Sequence, residues 1–276
     1  MVNTQPIVSP EWLRENLNNP QVKIVDCRFA LADPAWGQQQ YQQSHILGAF
    51  HLDLNRDLSS PVTKHGGRHP LPNIDELADK LGTMGIEFGE THVVAYDHAR
   101  FGFAGRLWWL LRYMGHDRIS LLDGGFNSWQ AAGYPVSEEL PSSQPAKFTP
   151  KLRSDWVVNY EQVKTRKDQP GVVLVDSRDY DRYLGKHEPI DPIAGHIPGA
   201  VNLPWQQVTD DQGFVKSTQQ QRWADYQDAE EIIVYCGSGV TACTNLLSLE
   251  LAGLSQGKLY AGSWSDWCSY QLDPEA

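Results

Sequence analysis

One thiol in this 276-residue chain stands where chemistry can be done. Cys236 closes the apolar run Ile232-Ile233-Val234-Tyr235 and opens the stretch Gly237-Ser238-Gly239-Val240-Thr241-Ala242. A β-branched run that feeds a Gly-bracketed loop and then a helical pattern predicts a strand–loop–helix turn, with the thiol at its mouth. Backbone N–H groups of such a loop converge on its centre, and a helix beginning near Val240 adds the positive end of its dipole. A thiolate is stabilised there, which makes Cys236 a usable nucleophile. The glycines at 237 and 239 and the hydroxyls of Ser238 and Thr241 set it apart from an ordinary buried cysteine after a core strand. Cys27, Cys243 and Cys268 form no CxxC pair, so neither a zinc site nor a disulfide framework is expected. Cys243 falls on the apolar stripe of the following helix and Cys27 ends a strand, which places both in the core.

The elements that position this loop occur twice. Ile24-Val25-Asp26-Cys27-Arg28 recurs as Leu174-Val175-Asp176-Ser177-Arg178, and His45-Ile46-Leu47-Gly48-Ala49 as His196-Ile197-Pro198-Gly199-Ala200. Val93-Val94-Ala95-Tyr96-Asp97 matches the strand that ends at Cys236, and Gly124-Gly125-Phe126 parallels Gly262-Ser263-Trp264. Order is preserved across all four matches, which marks an internal duplication. Short β-branched runs at 22–25, 92–96 and 118–122, and again at 172–175, 231–235 and 257–260, alternate with helical patterns. That alternation predicts an α/β protein: in each copy, a mainly parallel sheet with helices on both faces. The expected division is a first domain over 1–135, a proline-rich linker over 136–155 and a second domain over 156–276. The first copy carries Asp97 where the second has Cys236, so covalent chemistry is confined to the second. Asp26, Arg28, Asp176, Arg178, His45 and His196 recur in both copies and are therefore read as architectural.

Bulk properties remove several function classes. A net charge of −11 argues against general nucleic-acid affinity, while leaving room for a small anion in a local cationic pocket. No stretch approaches the roughly 18 apolar residues needed to span a bilayer. The segment Met1-Val2-Asn3-Thr4-Gln5-Pro6 has no secretory pattern, so a cytoplasmic location is expected.

Two such halves, with Asp97 in the first loop and Cys-Gly-Ser-Gly-Val-Thr in the second, resemble the tandem-domain rhodanese superfamily of sulfurtransferases. The likeness spans roughly residues 7–270 and includes Gly195-His196-Ile197-Pro198-Gly199-Ala200 and Gly262-Ser263-Trp264. The loop is similar to that of 3-mercaptopyruvate sulfurtransferases, whereas thiosulfate-preferring relatives carry cationic side chains just after the cysteine. The resemblance implies two tandem rhodanese-like domains, the second catalytic, and a sulfane sulfur carried as a persulfide on Cys236. The amides from Gly237 through Gly239 and Val240 to Thr241 would stabilise the outer sulfur, and Gly237 and Gly239 would permit the close approach. No organic cofactor or metal is implied. The partners implied are a small anionic sulfur donor and a thiol acceptor such as a thioredoxin-like protein, with no nucleic acid and no membrane.

The same resemblance implies a Ser–His–Asp relay, onto which Ser238, His69 in His69-Pro70-Leu71-Pro72, and Asp53 in Leu52-Asp53-Leu54 map. It also implies that Arg182 binds the donor's carboxylate through its planar fork; the alternative for Arg182 is a surface ion pair with Asp179. Here the chain departs from the mercaptopyruvate pattern. The second arginine of the clamp is missing, Lys186 is the one firm cation in that stretch, and Glu188 and Asp191 would repel an anion they faced. Thiosulfate therefore stays open as donor, and a catalytically silent sulfur-carrier or binding module is the alternative of another class. A phosphatase is disfavoured because Ala242 stands where its loop needs an arginine.

Overall fold

Each copy of the repeated runs builds its own five-stranded parallel sheet in the computed structural model, which describes residues 5–273. The first unit takes the chain up to Ser60, 72–153 and 211–215. Its elements are β1 (Ile7–Val8), α1 (Pro10–Glu15), β2 (Val22–Asp26), α2 (Trp36–Gln43), β3 (His45–Ile46), β4 (Phe50–His51), α3 (Ile74–Thr83), β5 (His92–Tyr96), α4 (Ala104–Tyr113), β6 (Ile119–Leu122), α5 (Gly125–Ala131) and β7 (Val136–Ser137). The strand order is β1-β6-β5-β2-β4, and β3 pairs antiparallel with β7.

The second unit takes 61–71, 154–210 and the chain from 216 onward. It contains β8 (Val157–Val158), α6 (Tyr160–Arg166), β9 (Val172–Asp176), α7 (Tyr180–Tyr183), β10 (Val201–Asn202), α8 (Gln219–Arg222), β11 (Glu231–Tyr235), α9 (Ala242–Leu251), β12 (Gly257–Tyr260) and α10 (Ser263–Gln271). Its order, β8-β12-β11-β9-β10, repeats that of the first sheet strand for strand. Ile232, Ile233, Val234 and Tyr235 of β11 are all fully buried, which requires cover on both faces of the sheet. Each such apolar side chain contributes about 2 kcal/mol by burial. The end of β11, where Cys236 sits, is therefore fixed by the best-packed part of the unit.

Spatial units and chain order part at two segments. Pro61–Leu71 lies in sequence inside the first repeat yet belongs to the second unit, and 211–215 belongs to the first. The proline-rich stretch 136–155 begins with β7, runs without regular structure to Arg153, where the first unit ends, and finishes in a 3-10 turn over Ser154–Trp156. There the Ala146 and Lys151 N–H groups donate to the Gly82 and Met114 carbonyls (2.9 and 2.8 Å).

The duplicated polar residues do duplicated work. Arg28 Nε donates to Asp26 (2.8 Å) and its Nη2 to the Ser44 carbonyl (2.6 Å). Arg178 likewise donates from Nη2 to Asp176 and to the Gly195 carbonyl, both at 2.6 Å. His45 Nδ1 lies 2.6 Å from the Tyr41 carbonyl, and His196 Nδ1 lies 2.7 Å from that of Tyr183. Buried charge is tolerated here because each group is paired and hydrogen-bonded. All four cysteines are buried and free, and burial pushes the Cys268 thiol up to about 11. No helix among the described residues is long and apolar enough to cross a membrane.

Burial also sets an acid limit for the first unit. His116 is fully buried, accepts the Gly89 N–H on Nδ1 at 3.0 Å, and has its pKa pushed down to about 4 by desolvation. His92 is pushed to about 4 as well, by desolvation first and then by the charges of Arg118 and His116. An unfolded histidine titrates near 6.5, so between about pH 6.5 and 4 the unfolded chain binds more protons. Stability is therefore full above that window and is lost as pH falls through it. Urea unfolding from pH 7 to pH 4.5 should show a loss on the order of 2 kcal/mol from His116 alone. His116→Asn, which keeps an acceptor for Gly89, should flatten that dependence. An unchanged pH slope in the variant would contradict the assignment.

Candidate active site

Strand β11 ends at Tyr235, α9 starts at Ala242, and the intervening residues form a tight loop around the Cys236 sulfur. The helix begins two residues later than the sequence suggests, within the usual spread of helix boundaries. The Gly239 N–H donates to Cys236 Sγ at 3.2 Å. Among the described residues, the N–H groups of Ser238, Val240 and Thr241 donate to no protein acceptor. Backbone donors that are not spent on the protein, in a loop that leads into a helix start, are the chemistry an anion requires. Val240 is buried, and its carbonyl accepts from the Cys243 N–H (3.1 Å). Thr241 is the residue that precedes α9, and its side chain makes no capping bond.

The loop turns on Gly239, whose φ is +77°, and a β-carbon there would fall 2.1 Å from the Ala261 carbonyl oxygen. The Cys236 main chain is held by the start of α10: its N–H donates to Ser263 Oγ (3.1 Å) and its carbonyl accepts from the Trp264 N–H (3.0 Å). Ser263 is left-handed at φ 57°, a conformation that costs a non-glycine residue energy. At the matching place in the first unit stands Gly125, at φ 59°. The serine thus supplies a hydroxyl to the cysteine amide that the first unit does without.

That first unit shows what the loop becomes without a thiol. The Asp97 carboxylate accepts from the N–H groups of Ala99 (2.8 Å) and Phe101 (3.1 Å) on one oxygen, and of Phe103 and Ala104 (both 2.8 Å) on the other. The Asp97 side chain thus fills the cradle from within the chain.

In the second unit, Pro61–Leu71 brings two more groups to the loop. Its main chain is strapped to α10: Gly66 N–H donates to Asp266 Oδ1 (2.6 Å) and Arg68 N–H to Ser265 Oγ (3.1 Å). Gly67, at φ +80°, passes so close that a β-carbon would lie 2.3 Å from the Gly262 carbonyl oxygen. The next residues are thereby fixed. His69 Nδ1 lies 2.7 Å from Ser238 Oγ, with both side chains buried. Arg68 directs Nη2 to within 3.0 Å of where a Gly237 β-carbon would stand, and the two terminal nitrogens of Arg182 stand 3.5 Å from the same point. Burial lowers the Arg68 pKa from its ordinary value; Cys236 acts against that shift and Arg182 adds to it.

Of the residues expected from sequence, Cys236, Ser238 and His69 come together, and Arg182 stands beside Gly237. Asp53 lies in the first unit, buried, where its carboxylate accepts the N–H groups of Asn55 (2.9 Å) and Arg56 (3.0 Å). Asp179 does not pair with the Arg182 side chain; its carboxylate caps α7 by accepting the Arg182 N–H (3.1 Å). The Arg182 fork instead meets Glu188 (2.8 Å) and Asp191 (3.0 Å). Lys186 is exposed, and the cation that sequence reading missed is Arg68. Its one signal was adjacency to His69. No cluster of metal-ligating side chains occurs among the described residues.

A rhodanese-like domain model matches residues 9–132 and 159–270. A probable 3-mercaptopyruvate sulfurtransferase of Pseudomonas aeruginosa is 40% identical over 100% of this chain and 99% of its own length. The thiosulfate sulfurtransferase of Cricetulus griseus is 35% identical over 98% of this chain and 93% of its own. Among solved structures, a 3-mercaptopyruvate sulfurtransferase from Leishmania major superposes with a TM-score of 0.83 at 29% identity, covering 100% of this chain and 76% of that one.

Replacing Gly239 tests how tightly the loop is held. Gly239→Ala should destabilise the protein by about 3 kcal/mol, from the positive φ and the clash with the Ala261 carbonyl. Thermal unfolding reads that loss, and near-wild-type stability would show that the loop can relax around a side chain.

Proposed function

This chain belongs to the rhodanese-like family, and from that premise we propose that it is a sulfurtransferase that moves sulfane sulfur from 3-mercaptopyruvate to a thiol or cyanide through a Cys236 persulfide. The observation that carries the reading is the Cys236 sulfur accepting the Gly239 N–H in a loop whose following amides are unspent, with His69 Nδ1 2.7 Å from the Ser238 hydroxyl of that loop. In the first step the Cys236 thiolate attacks the donor's thiol sulfur. A new S–S bond forms, the donor's C–S bond breaks, and its electron pair leaves as the enolate of pyruvate. The enolate takes a proton, which the Ser238–His69 pair delivers in this reading, with Asp53 as the acidic third member that the family resemblance implies. In the second step the acceptor attacks the outer sulfur, the S–S bond breaks, and the Cys236 thiolate returns.

The loop amides hold the negative sulfur in both steps, and their preorganisation makes that stabilisation effective. Arg182 binds the donor's carboxylate. Thiosulfate is the second reading, favoured by the likeness to the thiosulfate sulfurtransferase; the same attack then expels sulfite. A reduced thiol partner of the thioredoxin-like kind suits the acceptor role, and four free cysteines suit a reducing compartment such as the cytoplasm.

Steady-state transfer to cyanide from 3-mercaptopyruvate and from thiosulfate, measured side by side, tests the reading. Wild type should favour 3-mercaptopyruvate in kcat/KM, and Cys236→Ser should lose at least about 1000-fold, as removal of a covalent nucleophile does. A preference for thiosulfate would remove the main support for the Ser238–His69 proton relay. Wild-type activity with neither donor would sink the enzyme reading.

A further inference from the structure

We propose that Arg68 is the second cation of the donor site, so that the donor's anionic group binds between Arg68 and Arg182 beside Gly237. The proposal rests on the sulfurtransferase reading and supplies the clamp member that the chain lacks after Arg182. Both guanidiniums reach the same point of the loop, one residue from the nucleophile. A side chain at Gly237 would occupy the space they share.

Their hydrogen-bonding inventories differ from those of a purely structural ion-pair network. Arg182 spends Nε and Nη2 on Glu188 and Asp191, and Arg68 spends Nη1 on Asp191. Among the described residues, Nη1 of Arg182 and Nε and Nη2 of Arg68 donate to no protein acceptor. Of these, Arg68 Nη2 and Arg182 Nη1 stand 3.0 and 3.5 Å from where a Gly237 β-carbon would be, and both side chains keep some access to solvent, 32% for Arg68 and 13% for Arg182. The carboxylates, by contrast, are fully used. Glu188 also accepts from Arg178 Nη1 and from the N–H groups of Ile190 and Asp191, each at 3.0 to 3.1 Å. Glu188 and Asp191 therefore hold the two forks in place, and their negative charge is met by arginines.

Holding two cations together in a partly desolvated place is unfavourable unless anions answer them. Asp191 bridges the pair and answers part of that repulsion. A donor carboxylate, or the sulfonate-like oxygens of thiosulfate, would answer the rest through charge-assisted bonds to the unspent N–H groups. The strap onto α10 fixes the Arg68 main chain, so the side chain starts from a set position.

The test compares wild type, Arg68→Met and Arg68→Lys. Donor kinetics are measured with 3-mercaptopyruvate and thiosulfate, acceptor kinetics with cyanide, and binding of pyruvate by titration calorimetry. Arg68→Met should raise the donor KM by about 30-fold, the scale of a lost charge-assisted pair, with kcat and the cyanide KM little changed. Arg68→Lys keeps a cation for Asp191 but lacks the planar fork, so it should recover only part of the loss; it also serves if the Met variant folds poorly. Pyruvate binding should weaken in parallel with the donor KM. Lowered thermal stability with unchanged donor KM and pyruvate affinity would make Arg68 structural and overturn the proposal. If wild type turns over neither donor yet binds pyruvate in an Arg68-dependent way, the sulfurtransferase reading falls and the anion site stands.

Discussion

Backbone N–H groups gathered at the end of a central strand must be answered by an anion, and the rest of the structure depends on that constraint. The duplication answers it twice. In the first unit the answer is built into the chain: the Asp97 carboxylate takes the N–H groups of Ala99, Phe101, Phe103 and Ala104. In the second unit a thiol occupies the same place, with one amide on its sulfur and others unspent. A carboxylate that accepts four amides is a finished structural device. A sulfur in a loop with amides to spare is not closed off in that way, and the proposed persulfide would use those amides to stabilise its outer sulfur. One backbone plan thus carries a carboxylate-filled loop in one unit and a thiol-bearing loop in the other, through a change of side chain and of loop length.

What surrounds the thiol is organised by α10 and the strap at Pro61–Leu71. Ser263 and Trp264 hold the Cys236 main chain, while Ser265 and Asp266 hold Arg68 and Gly66. One helix start therefore holds both the Cys236 main chain and the segment that carries Arg68 and His69. Such placement matters, since displacement of a reacting group by about 1 Å can cost a hundredfold in rate. The charged cluster behind the loop follows the same logic. Arg178 is locked to Asp176 as Arg28 is to Asp26, and Glu188 then links this architectural pair to the Arg182 fork.

Much of this was legible in the sequence, for identifiable reasons. Strand runs rich in Val and Ile, four ordered repeat matches and a Gly-bracketed cysteine specify the two sheets and the loop, since each is a local pattern. The architectural reading of Arg28, Arg178, His45 and His196 came from their presence in both copies, and their partners are equivalent in the two units. Association in space was harder to read. Residues 61–71 sit within the first repeat in sequence but fold with the second unit, so only its adjacency to His69 hinted that Arg68 reaches Gly237. Glu188 and Asp191 looked like repulsive charges because sequence shows their sign and not their partners. Asp53 was reached by family resemblance alone, and its observed bonds close its own turn.

The persulfide on Cys236 is the central claim, and intact-mass measurement tests it most directly. The protein would be incubated with 3-mercaptopyruvate without acceptor, then digested and mapped. One added sulfur atom on the Cys236 peptide, removed by cyanide and absent in Cys236→Ser, is the result predicted. Sulfur carried by Cys243 or Cys268 instead, or turnover with no sulfur ever bound to the protein, would contradict it.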